Sequence, residues 1–244
     1  MNNISENICL IIPCYNEMNR IDIEAYKQYK LGYYFVFVND GSTDNTLDLL
    51  KKNIQDNFFI LDLKTNVGKA EAVRQGMMFF KTLEIYNVSK WVGFWDADLS
   101  TPLFEVDNFI NYKNDFYKNA DAIFGSRTPR MGSTIKRSRK RYFFGRFFSY
   151  ISKNFFNLYY YDSQCGAKLF NKSIVDQVFS KTFISRWAFD IEIILRLRGY
   201  FVVEYPLTSW ENQSESKLNF LYVLFELPID FLKIKQKYSE QGIR

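Results

Sequence analysis

Five strand-like runs alternate with helical segments through the first half of the chain, and this alternation limits the fold more than any other feature. Each run is short and apolar, with β-branched or aromatic residues. The runs are residues 8–12, 34–38, 58–63, 91–95 and 121–125. The helical patterns are residues 17–30, 44–53 and 68–84. Strands separated by helices form βαβ units, so the sequence predicts an α/β domain with a mostly parallel sheet.

Polar turns follow the first four of these runs. They are PCYNE (13–17), NDGSTD (39–44), NVGK (66–69) and DADLS (96–100). In an open parallel sheet, ligands bind at the carboxyl ends of the strands, where such turns lie. The sequence therefore predicts a ligand site built from these turns.

The chain has no histidine and only three cysteines, Cys9, Cys14 and Cys165, with no CxxC motif. This sparse, odd set argues against a disulfide framework and fits a reducing cytosol. Without histidine, the chain cannot form a His-ligated zinc site, a Ser-His-Asp triad or a His general base. A bound metal is therefore expected to be a hard cation with oxygen ligands, Mg²⁺ or Mn²⁺.

Asp96 and Asp98 end the apolar run 91–95. An Asp-x-Asp pair is by itself most often an ordinary surface turn. Two residues apart in an extended chain, however, both carboxylates point to one side. Like charges at that spacing repel unless a cation lies beside them. We therefore predict that Asp96 and Asp98 bind Mg²⁺ or Mn²⁺, which also takes phosphate oxygens as ligands.

Two other turns are weak signals when taken alone. In the turn 39–44, Ser42 or Asp44 serves as a helix N-cap. The segment 66–72 is a glycine turn into a helix, whose positive end attracts an anion. No GxxxxGK[ST] or GxGxxG motif occurs, which disfavours a P-loop NTPase or a nicotinamide enzyme.

In this order, PCYNE, NDGSTD, NVGKAEAV, DADLS and GSR (125–127) resemble the nucleotide-sugar domain of family-2 glycosyltransferases. The resemblance covers nearly the whole chain. It implies a GT-A fold, a Rossmann-like α/β domain with a mostly parallel central sheet and helices on both faces. It also implies that Asp40 contacts the base, that Asp96 and Asp98 carry the metal on the diphosphate, and that Lys217 closes over it. The residues implied for nucleotide-sugar binding are Pro13, Tyr15, Glu17, Asp40, Gly68, Lys69, Asp96 and Lys217.

Segments in the second half of the chain resemble a narrower group within this family. DSQCGAKLF (162–170), RWAFDIE (186–192) and WENQSESKL (210–218) are similar to segments of dolichyl-phosphate β-glucosyltransferases and, more loosely, dolichyl-phosphate mannose synthases. This implies an inverting transfer of a hexose from UDP-glucose, or from GDP-mannose, to a polyprenyl phosphate. A phosphate nucleophile is already ionised, so no strong general base is required. For a hydroxyl acceptor, the candidate base is Asp190. The predicted catalytic residues are thus Asp98, Asp190 and Arg127.

Residues 127–146 contain eight Lys or Arg and no acid, and 11 of the 22 residues in 140–161 are aromatic. Such a segment can be a solvated charged face, a nucleic-acid site or a surface for an anionic membrane and an acceptor phosphate. The direct change from basic to aromatic residues favours the membrane, and nucleic acid is not expected as a partner. The predicted acceptor-phosphate ligands are Arg127, Arg137, Arg139 and Arg141.

We predict a GT-A domain over residues 1–210, with the acceptor-side segment 127–161 inserted and a further strand-like run at 200–206. A loop and amphipathic helix follow over 211–244, with the helix itself at 218–237. That helix packs either on the domain or on a membrane. With no signal peptide or clear transmembrane helix, the chain is expected to be cytoplasmic and peripheral at the cytoplasmic membrane face. Two other functions also fit. One is sugar transfer to a hydroxyl in capsule, teichoic-acid or lipooligosaccharide synthesis; the other is a non-catalytic nucleotide-sugar or nucleic-acid binding module.

Overall fold

The computed structural model describes residues 6–137, 139–213 and 226–240, except for the side chains of residues 139–141, 143, 144 and 240. The strands are Asn7–Cys14 (β1), Tyr33–Asp40 (β2), Phe58–Leu63 (β3), Ser89–Trp95 (β4), Ala122–Ser126 (β5), Thr134–Lys136 (β6), Ala167–Asn171 (β7), Val202–Pro206 (β8) and Ser209–Glu211 (β9). The helices are Ile23–Lys27 (α1), Thr46–Lys52 (α2), Lys69–Phe80 (α3), Ile85–Val88 (α4), Phe104–Phe116 (α5), Arg139–Phe156 (α6), Val175–Phe179 (α7), Phe189–Arg196 (α8) and Leu227–Glu240 (α9).

Seven strands form one sheet in the order β3-β2-β1-β4-β7-β5-β8. Strands β3, β2, β1 and β4 are parallel, and β5 is parallel to β8. Strand β7 lies antiparallel between β4 and β5. The predicted α/β domain with a mostly parallel central sheet is confirmed.

Both faces of the sheet carry helices, because alternate residues of the buried strands point to opposite sides. In β1, Cys9 and Ile11 belong to a core shared with α3, α6, α7, α8 and α9. Ile8 and Leu10 belong to a second core, shared with α1, α2 and α5. The central strands are therefore covered on both sides, which leaves the ends of the strands as the place for a site.

The predicted strands coincide with β1 to β5, and the run 200–206 with β8. Strand β7 was not predicted, because Lys168 interrupts its short apolar run. The lysine is nevertheless completely buried. A two-stranded parallel sheet, β6 with β9, was also missed.

The predicted helix over residues 17–30 is wrong, since only Ile23–Lys27 is helical there. Asp22 caps this helix by accepting a hydrogen bond from the Ala25 N–H. Before it, the chain turns at Asn16, whose φ is 52°. This turn directs Glu17 and Arg20 towards the carboxyl end of β4, where Arg20 contacts Asp98.

The last helix packs on the domain through Phe231, whose ring contacts Phe148, Phe155 and Phe156 of α6. It was predicted over residues 218–237, and the part before residue 226 lies outside the described residues. No helix in the described ranges combines the length and apolarity that a bilayer-spanning helix requires.

Candidate active site

The carboxyl end of β1 carries the first predicted site residues. Pro13 lies opposite Val38 of β2, and Tyr15 follows the strand directly and is half-buried. Glu17 is buried, and the N–H of its neighbour Asn16 donates to the Ser42 hydroxyl at 3.1 Å. These contacts attach the PCYNE turn to the NDGSTD turn, so the two turns form one wall of the site.

Asp40 holds the third turn in place. Its carboxylate accepts hydrogen bonds from the Val67 N–H at 2.7 Å and the Gly68 N–H at 2.9 Å. Burial raises the pKa of Asp40, although these two N–H donors act in the opposite direction. Gly68 has a φ of 90°, a conformation that favours glycine. The predicted nucleotide residues Asp40 and Gly68 are therefore in direct contact.

Arg186 covers the same turn, although it was not predicted as a site residue. Its Nε lies 2.5 Å from the point that a Cβ on Gly68 would occupy. Its Nη2 donates to the Asn66 Oδ1 at 2.8 Å. The only sequence signal was its place in the RWAFDIE segment. Arg186 thus joins the acceptor-side half of the chain to the nucleotide-side turn.

The Asp-x-Asp pair does not continue β4, since the strand ends at Trp95. Asp98 lies in a turn, where its Oδ1 accepts from the Ser100 N–H at 3.0 Å and its Oδ2 from Arg20 Nη2 at 3.2 Å. Asp96 pairs instead with Lys69. The premise that both carboxylates extend to one side of a strand is therefore wrong. Each carboxylate nevertheless contacts a positively charged side chain.

Lys69 is the residue around which the predicted acids gather. Partial burial by itself would lower the pKa of its ammonium. The negative charges of Asp96, Asp190 and Asp98, together with the Asp96 hydrogen bond, instead raise it. Three predicted acids, from two segments far from Lys69 in the chain, therefore lie within electrostatic reach of its ammonium.

The donor set at this point fits a hard divalent cation. Asp96 and Asp98 supply carboxylate oxygens, the ligands that Mg²⁺ and Mn²⁺ prefer. The Lys69 and Arg20 contacts show that positive charge is already attracted here. Within the described ranges no group of three potential ligands comes together, so a metal on these aspartates would take its other ligands from phosphate and water.

Arg127 forms a buried ion pair with Asp162. Its Nε donates to Asp162 Oδ2 at 2.6 Å and its Nη2 to Oδ1 at 2.7 Å. Burial would raise the pKa of Asp162, but Arg127 lowers it to about 2. The Arg127 guanidinium also lies 5.4 Å from the centre of the Trp210 ring. This predicted acceptor residue is therefore fixed in place and permanently charged.

The other predicted acceptor arginines are only partly described. Arg137 lies against Gly145 of α6, where an added Cβ would be 2.1 Å from its Nη2. Its charge also lowers the pKa of Asp162, which places it near the Arg127 pair. The side chains of Arg139 and Arg141 lie outside the described residues, as does all of Lys217.

Asp190, the predicted base, lies in the first turn of α8 and is buried. Its Oδ1 accepts from the Lys168 ammonium at 2.6 Å. Burial raises the pKa of Asp190, while Lys168 and Lys69 act to lower it. Sequence reasoning missed Lys168 and Asp162, although both lie in the DSQCGAKLF segment, and it had no signal for Arg20.

Chemically, this edge of the sheet combines two carboxylates that each contact a cationic side chain, two buried ion pairs and a glycine turn whose N–H groups are held by Asp40. The cationic side chains around this turn suit a diphosphate. The Asp190 carboxylate suits a sugar hydroxyl or a proton. The Arg127 guanidinium, which directly follows β5, suits a second anion such as an acceptor phosphate.

Comparisons with known proteins show which family this chain is similar to. A family model described as Glycosyl transferase family 2 matches residues 9–179. A protein of Saccharomyces cerevisiae (strain ATCC 204508 / S288c) named dolichyl-phosphate beta-glucosyltransferase is 30% identical over 256 residues, covering 95% of this chain and 75% of that protein. The protein of that name from Dictyostelium discoideum is 27% identical over 250 residues, covering 95% of this chain and 74% of its own length.

Solved structures share the fold at low identity. Glucosyl-3-phosphoglycerate synthase of M. tuberculosis has a TM-score of 0.65 at 14% identity, covering 94% of this chain and 80% of that chain. Its complex with Mn²⁺, UDP-glucose and phosphoglyceric acid has a TM-score of 0.62 at 13% identity, covering 96% of this chain and 80% of that chain. These likenesses confirm the expected GT-A architecture.

Proposed function

The chain belongs to glycosyltransferase family 2, and on that premise we propose that it transfers glucose from UDP-glucose to a dolichyl or other polyprenyl phosphate. The single observation that carries this proposal is the gathering of Asp96, Asp98 and Asp190 around Lys69, with the Arg127–Asp162 pair on its acceptor side. The names of relatives that match about 95% of this chain support the substrate class.

The proposed step is an inverting displacement at the anomeric carbon. An oxygen of the acceptor phosphate forms a bond to C1, and the bond from C1 to the β-phosphate oxygen of UDP breaks. The bonding electrons remain on that oxygen, so the products are UDP and a glucosyl phosphodiester. The dianionic acceptor needs no deprotonation, which suits a site with no histidine.

The donor side would be held by the three turns already described. Asp40 keeps the Val67 and Gly68 N–H groups in their turn, and Arg186 covers that turn. A divalent metal on Asp96 and Asp98 would offset the negative charge that develops on the leaving diphosphate. Metals of this kind accompany UDP in the structural neighbours. For Asp190 we propose hydrogen bonding to the sugar, or the general-base role if the acceptor is a hydroxyl.

The acceptor side would use Arg127, which Asp162 orients and keeps charged. Next to this pair is a groove of about 290 Å³ between α6 and β8. Its lining includes the cations Arg146 and Lys153, the tyrosines 159–161 and the carboxylate of Glu204, which accepts from the Asp162 N–H. Positive charge and aromatic rings beside the Arg127 pair suit the entry of a lipid phosphate.

We further propose that α6 and α9 lie against an anionic membrane. Their contact through Phe231 places the two helices side by side. The pair exposes Phe147 at 62% and Tyr150 at 68% on α6, and Leu232 at 62% on α9. Lys153 and Lys233 are exposed on the same helices. Apolar side chains with flanking lysines suit a headgroup layer, at the cytoplasmic face expected above.

The decisive test is a matrix of donors and acceptors. UDP-glucose and GDP-mannose are each supplied with dolichyl phosphate, undecaprenyl phosphate or a hydroxyl glycan. We expect labelled glucose in the organic phase, released by mild acid, with UDP-glucose and a polyprenyl phosphate. Water-soluble product would instead support a hydroxyl acceptor, and binding without turnover would support a non-catalytic module.

The membrane proposal has its own test. Sedimentation with vesicles of phosphatidylcholine containing phosphatidylserine should fall several-fold for the double variant Phe147→Ser, Leu232→Ser. The matched control is Phe116→Ser, since Phe116 is 71% exposed on α5, which belongs to the other core. Equal sedimentation of all three proteins would refute the surface.

A further inference from the structure

A completely buried lysine lies in the middle of β7, and the proposed chemistry does not use it. Lys168 pairs in register with Phe94 of β4 on one side and Phe124 of β5 on the other. Its ammonium lies 5.3 Å and 5.2 Å from the centres of these two rings. A buried charge is costly unless it is paired and hydrogen-bonded, so its partners are informative.

The three protons of the ammonium have three oxygen acceptors. These are the carbonyl of Ser163 at 3.0 Å, the carbonyl of Cys165 at 2.6 Å and the Asp190 Oδ1 at 2.6 Å. An ammonium can donate three hydrogen bonds, so Lys168 is fully engaged. It therefore fixes the first turn of α8, which carries Asp190, to the loop 163–165.

The residues flanking that loop contact the rest of the site. On one side Asp162 pairs with Arg127. On the other side Gly166 lies against Asp96, where an added Cβ would be 1.9 Å from Oδ2. One short segment thus contacts the proposed acceptor residue, the proposed metal ligand and, through Lys168, the carboxylate of Asp190.

We propose that Lys168 is a positioning residue, which fixes Asp190 relative to the segment 162–166 and so sets the separation between the donor and acceptor sides of the site. This rests on the proposed transfer reaction. Lys168 contacts the Asp190 carboxylate from inside the core, and its other two hydrogen bonds go to main-chain oxygens that do not move with a side-chain rotamer. Lys168 therefore fixes the Asp190 carboxylate relative to the main chain of residues 163–165.

The test compares Lys168→Met with Lys172→Met. Both change a lysine at or next to β7 that donates to two carbonyls, and Lys172 donates to Tyr86 and Asn87, away from the site. We expect Lys168→Met to lower kcat by about 10²-fold, the scale of an ångström-size misplacement. The KM for UDP-glucose and the Kd for UDP with Mn²⁺ should stay within about 3-fold. Lys172→Met should leave all three unchanged.

A double-mutant cycle separates positioning from general support of the core. If Lys168 acts through Asp190, then Lys168→Met should cost little further kcat in an Asp190→Asn background. Fully multiplicative losses in kcat would overturn the proposal. So would a loss confined to UDP binding.

A third variant covers the case in which Lys168→Met does not fold. Lys168→Arg keeps the charge, but its planar guanidinium does not match three acceptors arranged around an ammonium. We expect it to fold and to remain low in kcat, whereas full recovery of kcat would overturn the proposal. If the wild type makes no lipid product, the proposed function fails, and the same comparisons are then made on UDP-glucose hydrolysis.

Discussion

The two halves of the site are held together by different kinds of contact. On the donor side, Asp40 accepts hydrogen bonds from the Val67 and Gly68 N–H groups in a turn that depends on a positive φ. On the acceptor side, Arg127 pairs with Asp162 inside the protein, and the buried Lys168 joins that segment to Asp190. The donor side is thus built from main-chain geometry, and the acceptor side from buried charge.

This difference determines how each half should fail. Removing one member of a buried ion pair leaves an uncompensated charge in the core, so the acceptor half should lose stability. Distorting a glycine turn adds local strain and moves the N–H groups, so the donor half should lose ligand binding first. Variants in each half can therefore break or sharpen the comparison.

The largest effect is expected for Asp162→Asn. It leaves the mostly buried Arg127 guanidinium without its partner carboxylate, which should lower the free energy of unfolding by about 3–5 kcal/mol. This free energy is measured by urea unfolding, monitored by circular dichroism. The control is Asp176→Asn, whose pair with Lys81 is exposed, and which should cost less than about 1 kcal/mol. Equal losses would contradict the buried-charge description.

The same pair predicts an acid dependence. Because the folded pKa of Asp162 is lowered to about 2, its contribution is fully present above its ordinary pKa, near 4. The contribution is lost as the pH falls through the folded pKa. The stability difference between wild type and Asp162→Asn should therefore be constant from pH 7 to about pH 5 and shrink towards pH 2. A constant difference down to pH 2 would contradict the assignment.

Asp98→Asn comes next and tests the centre at which the two halves meet. Transfer should fall by about 10²–10³-fold, the effect of losing one strong electrostatic contact to the transition state. The melting temperature should change less than for Asp162→Asn, because Arg20 is 28% exposed and keeps its second ion pair, with Glu17. Asp115→Asn, an exposed acid on α5, is the control. Undiminished sugar transfer by Asp98→Asn, or by the wild type in EDTA, would contradict the proposed metal on Asp96 and Asp98.

Gly68→Ala tests the donor turn and should have a smaller effect. The added Cβ meets Arg186 and requires the backbone conformation φ 90°, ψ 156°, with a strain of about 1–3 kcal/mol. We expect UDP binding, measured by calorimetry, to weaken by about 10-fold. Gly132→Ala is the matched control, because Gly132 has a φ of 81° with no atom within 4 Å of the new Cβ. Its strain should leave UDP binding unchanged.

The smallest effect is expected for Lys64→Ala. Lys64 is 89% exposed and pairs with Asp62 at 3.3 Å. Exposed ion pairs contribute about 0–1 kcal/mol, so neither stability nor transfer should change measurably. A large loss in either measurement would show that surface charge, and not main-chain geometry, supports the donor half.

The donor half was the more predictable half, because its signals are local. Strands β1 to β4 read as apolar runs, and each ends in a turn of polar residues or glycine. The exception is the helix predicted over 17–30, since nothing nearby in sequence showed that Arg20 would contact Asp98. In the acceptor half, β7 was missed because Lys168 hides its pattern, although the core encloses that lysine completely.

The sequence alone predicted the alternation of strands and helices in the first half of the chain, a ligand site at the carboxyl ends of those strands and oxygen ligands for any metal there. These follow from residue periodicity, turn residues and the absence of histidine. The tertiary structure decided which charges pair: Asp96 with Lys69, Asp98 with Arg20, Asp162 with Arg127 and Asp190 with Lys168. Pairing depends on distance and burial between segments far apart in the chain, which no local pattern encodes.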